Sequence, residues 1–118
     1  MRLIEKKTDV YPKFLEIFYP TFHQKYINEI PVDSVPNHPF YDYQKLVQPI
    51  LHSTQILSDV DLNKKIHEHV KMTFSRMRKG ILQPSDEEND SYNEIISKMK
   101  KELGIEGDFK DIVKKCCK

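Results

Sequence analysis

An all-α fold, a compact irregular bundle of four main helices plus a short C-terminal helix, is what this 118-residue chain predicts. Three features carry that expectation. Apolar residues recur at spacings of three and four along most of the chain, the period of one helix face. Two of the resulting segments have start and stop signals at both ends. The segment where a strand could compete, residues 10–30, lacks strict alternation and contains prolines that belong at strand edges.

The N-terminal half is the less regular. From 10 to 30, Val10, Phe14, Ile17, Phe18, Phe22, Tyr26 and Ile30 follow the helical period. Pro12 fits a first turn, whereas Pro20 removes a bond to the Glu16 carbonyl and should kink or divide the helix. Residues 31–40 contain three of the seven prolines and read as an extended or turning connection. A further helix is expected from 41 or 42 to about 57, with Tyr43, Leu46, Val47, Ile50, Leu51 and Thr54 inward and a bend near Lys45, the i−4 partner of Pro49.

The C-terminal half is sharper. Over 60–79, Leu62, Ile66, Val70, Phe74 and Met77 draw one stripe, with Ser58 or Asp59 as N-cap and Gly80 as a left-handed stop. Over 86–103, Ser85 and Glu88 have capping-box spacing, Asp86 and Glu87 put negative charge in the first turn, and Gly104 follows the last apolar position. Tyr92, Ile95, Ile96, Met99 and Leu103 form its expected buried face. A last helix over 108–116, with Phe109, Ile112, Val113 and Cys116 on one side, is too short to persist without docking.

Composition fits one domain spanning 1–118. Apolar residues make up 38% and charged residues 31%, both signs are present, and the net charge of +1 is not that of a charged disordered tail. The two cysteines, Cys116 and Cys117, are adjacent and have no other cysteine to pair with. A reducing, cytoplasmic setting is therefore expected. There is no apolar run long enough for a transmembrane segment and no signal-peptide pattern at the start.

Motifs that would carry chemistry are incomplete. In His67-Glu68-His69 the two imidazoles point roughly 200° apart on a helix, and Lys71 stands where the zinc motif needs its second histidine. Asp59, Asp61 and Asn63 imitate the start of a calcium loop, but Lys64 and Val70 replace the required Gly and Glu. Glycines at 80, 104 and 107 build no phosphate loop. Cys116 and Cys117 have lysines nearby but no oriented base. No cofactor and no metal site are expected, and enzyme activity ranks behind binding.

Charge arrangement is the remaining functional signal. Residues 64–80 carry a net charge of +5 and residues 86–94 a net of −5, separated by a short turn. These blocks either neutralise one another or present a surface. A protein-binding or regulatory module, or a self-associating one, is the first expectation, with Phe40, Tyr41 and Tyr43 as aromatic contacts beside the Pro-rich connection. The alternative is nucleic-acid binding through Lys71, Arg76, Arg78 and Lys79 on the basic helix.

Overall fold

The computed structural model describes residues 3–23, 26–27 and 38–104, and the protein is an all-α bundle. Four long helices, α1 (Leu3–Ile17), α3 (Pro39–Leu57), α4 (Val60–Arg78) and α5 (Asp86–Leu103), are joined by the short α2 (Pro20–His23). No strand occurs among the described residues. The expected helix over 108–116 and residues 31–37 of the Pro-rich connection lie outside them.

The first helix begins earlier than its apolar pattern suggested. Because α1 starts at Leu3, Pro12 lies inside it rather than in its first turn. Pro20 does divide the segment, opening α2, where its fixed φ is already helical. The broken end of α1 is then sealed from several sides. The Phe18 and Tyr19 amides donate to the Phe14 and Glu16 carbonyls at 3.1 and 3.2 Å. The Tyr92 hydroxyl donates to the Leu15 carbonyl at 2.5 Å and the Tyr43 hydroxyl to the Ile17 carbonyl at 2.6 Å. All four terminal carbonyls of α1 are thus satisfied, two of them by side chains from α3 and α5.

Caps account for the other boundaries. His38 precedes α3 with its Nδ1 accepting the Phe40 amide at 3.0 Å, and Pro39 occupies the first turn. Asp59 Oδ1 accepts the Leu62 amide at 2.8 Å, which selects Asp59 over Ser58 as the N-cap of α4. At the other end of α4, Gly80 has φ +75°; its amide donates to Met77 and that of Ile81 to Arg76, the paired bonds of a Schellman motif. Gly104 ends α5 at φ +68° with open space around it, so its backbone conformation, not crowding, calls for glycine.

The core forms where α1 packs on α3 and α4 on α5. Phe14, Phe18, Phe40, Tyr43, Leu62, Ile66, Met77, Ile95 and Met99 are all sealed from solvent. Phe74 ties α4 to α3 and to the link after α1, with ring centroids 6.4 Å from Phe18, 5.4 Å from Phe40 and 6.1 Å from Tyr43. The stripes expected for α4 and α5 all join this core. Leu46 does not: it faces outward on α3, 40% exposed, so that inward assignment is corrected.

Candidate functional site

Helix α4 divides its positive charges between two faces. Leu62, Ile66, Val70 and Met77 define the buried face. Lys64, Lys71 and Arg78, at seven-residue intervals, fall on the opposite side, about 10 Å apart along the axis. All three are exposed, as is Lys79. Among the described residues none of the four is ion-paired with a carboxylate. Arg78 instead covers the Phe40 ring, its guanidinium carbon 5.6 Å from the centroid. Tyr41 meets the same ring edge-on at 6.1 Å and is 43% exposed.

Other charges on α4 are neutralised by α5. Lys65 reaches Glu94 at 3.2 Å, and Asp61 pairs with Lys98. Arg76 goes furthest. Only 7% exposed, it donates from Nε and Nη2 to the two oxygens of Glu88, both at 2.9 Å. Its Nη1 donates to the Ile81 and Leu82 carbonyls, each at 2.9 Å, and Nη2 also to His23 Nε2 at 2.5 Å. These bonds occupy all five guanidinium N–H groups. One side chain therefore joins α2, α4, the following turn and α5.

Around this node the interior is unusually polar. His23, His69, Thr73, Glu88 and Ser91 are buried with it. Burial first, and then the positive charge of Arg76, lowers the His23 pKa to about 3. His69 is pushed down to about 4, mainly by burial, with Glu88 opposing and Arg76 adding to the shift. Because arginine only donates, His23 Nε2 must be an unprotonated acceptor, which places the proton on Nδ1. His69 lies between Phe18 and Tyr92, with centroids 5.9 and 5.7 Å away, and neither of its ring nitrogens has a hydrogen-bond partner among the described residues.

The residues singled out from the sequence thus separate into two groups. Tyr41, Lys71, Arg78 and Lys79 are presented to solvent. Arg76, Phe40 and Tyr43 are buried: Arg76 is saturated by internal acceptors, Phe40 lies beneath Arg78, and the Tyr43 hydroxyl is committed to α1. Proximity links Phe40, Tyr41 and Arg78 directly, although their place in the sequence assigned them to separate surfaces. The histidine pair diverges as its spacing requires, His67 exposed and 3.0 Å from Gln55, His69 inside. The described residues contain no cluster of three or more histidine, cysteine or acidic groups arranged for a metal ion. No helix among them is long and apolar enough to cross a membrane.

His23, Glu88 and Lys64 were missed as members of these two arrangements. For Glu88 a signal existed, since it is four positions before Tyr92 and seven before Ile95, on the inward face of α5. No family model, curated protein or solved structure matches this chain.

Proposed function

We propose that this is a small intracellular protein-binding module that holds an acidic segment of a partner along the outer face of α4. The observation that carries the reading is the seven-residue row Lys64, Lys71 and Arg78, exposed without carboxylate partners among the described residues while Arg76 and Lys65 on the same helix are neutralised. Complementary charge of this kind steers encounter and fixes register. Tyr41, beside the Arg78–Phe40 stack, adds an amphipathic contact whose aromatic ring loses little conformational freedom on binding. The intracellular setting rests on the cysteine pattern.

The same row favours a second reading, contact with nucleic-acid phosphates. It ranks lower because Arg76, one of the four phosphate contacts that reading requires, has no N–H left to offer. Photo-crosslinkers placed at Tyr41 and Ser75 in cells separate the two. The expected product is a polypeptide adduct on an acidic segment, abolished by the triple substitution Lys71→Glu, Arg78→Glu, Lys79→Glu. A nuclease-sensitive adduct would transfer the proposal to nucleic acid, and an adduct indifferent to the charge reversal would overturn both.

A further inference from the structure

A second surface sets apolar side chains beside a charged rim. Between α1 and α3 lies an open groove of about 220 Å³, lined by Lys6, Asp9 and Val10 from one helix and Ser53, Ile56 and Leu57 from the other. Ile56 is 69% exposed there, and Val60, just across the α3–α4 corner, is 88% exposed. A β-branched side chain standing this far into water adds nothing to the bundle core.

The chain itself leads back to this groove. Near the end of α5, Glu102 accepts from Lys7 Nζ at 3.2 Å, from the Tyr11 hydroxyl at 2.7 Å and from the Asp59 amide at 3.2 Å. Lys7 and Tyr11 adjoin Lys6 and Val10 in sequence, and Asp59 is two residues beyond Leu57, so Glu102 holds the last turn of α5 beside the groove. Fourteen residues follow Gly104. Residues 105–107 span at most about 10 Å when extended, and a helix over 108–116 would be about 13 Å long. The apolar residues Phe109, Ile112, Val113 and Cys116 have the three-and-four spacing of a single helix face.

We propose that the groove between α1 and α3 receives residues 108–116 of the same chain, docked by the face carrying Phe109, Ile112, Val113 and Cys116. The occupant is favoured over a second molecule because α5 already delivers it to the site, where tethering gives a high effective concentration.

The natural cysteines allow a direct test. In the full chain, Ser53→Cys puts a thiol in the groove, and Ser75→Cys puts one on the outer face of α4, about 24 Å along the axis from Asp59. An undocked tail, with about 40 Å of extended reach from Gly104 to Cys116, would find both. Docking predicts a monomeric disulfide between the thiol introduced at position 53 and Cys116 or Cys117, formed about tenfold faster than any link to position 75 under mild oxidation. Adding Phe109→Asp and Ile112→Asp should erase that preference while the helical circular-dichroism signal remains. Equal rates at both positions, no link at position 53, disulfide-joined dimers, or a preference that survives the aspartates would each overturn the proposal.

Discussion

The two corners that flank α4 treat polarity in opposite ways. At its C-terminal end, between α4 and α5, a guanidinium and a carboxylate are taken inside as a pair, and every guanidinium N–H finds an acceptor. At its N-terminal end, between α3 and α4, aliphatic Ile56 and Val60 stand in water while Glu102 bridges polar groups at the margin. The first corner is self-contained and costly to disturb, because removing either charge strands the other in a poor dielectric. The second has apolar surface that the bundle core does not use, and a change at Val60, outside the groove lining, costs that core little. The contrast separates residues that hold the molecule together from residues available to something else.

The largest expected effect comes from emptying the first corner. Arg76→Ala leaves Glu88, His23 and two carbonyls without their donor and should lower unfolding stability by about 3–5 kcal/mol in urea titration. Lys71→Glu, five positions away on the opposite face, should change it by no more than about 0.5 kcal/mol. Equal losses in the two variants would abolish the distinction between the faces of α4.

Acid probes the same corner next. His23 and His69 have folded-state pKa values lowered to about 3 and 4 from 6.5. Between pH 6.5 and about 4 the unfolded chain therefore binds more protons than the folded one. Their contribution is complete above pH 6.5 and is lost as pH falls through that window, at up to about 1.4 kcal/mol per histidine per pH unit. The urea midpoint should fall between pH 7 and pH 5 and do so less steeply in His69→Gln. A midpoint flat over that interval would show that the two rings do not enter the interior neutral.

The smallest effects belong to the second corner. Tyr11→Phe removes one hydrogen bond to a charged acceptor and should cost about 1.5 kcal/mol, whereas Val60→Lys should stay within about 0.5 kcal/mol in the same denaturation assay. A larger loss at Val60 than at Tyr11 would reverse the ranking of marginal polar bridge and exposed apolar side chain.

How much of this could be read from the chain depended on how local the information was. The α5 boundaries follow from Ser85 and Gly104, which act within one turn, and the stripes of α4 and α5 follow from periodicity alone. Glu88 illustrates the limit. Its spacing from Ser85 suggested a reciprocal capping box, and Ser85 Oγ does accept the Glu88 amide at 3.1 Å, but the Glu88 carboxylate turns to Arg76. Counting charges over 64–80 treated Arg76 as equivalent to Lys71, although three positions after inward Thr73 and one before Met77 it falls on the buried side. His23 was beyond reach, because its partner is 53 residues away and the contact exists only once α2 is placed.

The turn over residues 81–84 acquires an unusual status from Arg76. Short surface connections between helices are ordinarily where a chain accepts inserted residues, fusion partners or new termini. This one has two consecutive carbonyls fastened to one nitrogen of a planar, rigid group, and that group is fastened in turn to the first turn of α5. The guanidinium works as a gauge for the length of the connection: one residue more or less would pull Ile81 and Leu82 out of register with it. Circular permutation or a tag at this turn, exposed though Ile81 and Gln83 are, would dismantle the interior rather than decorate the surface.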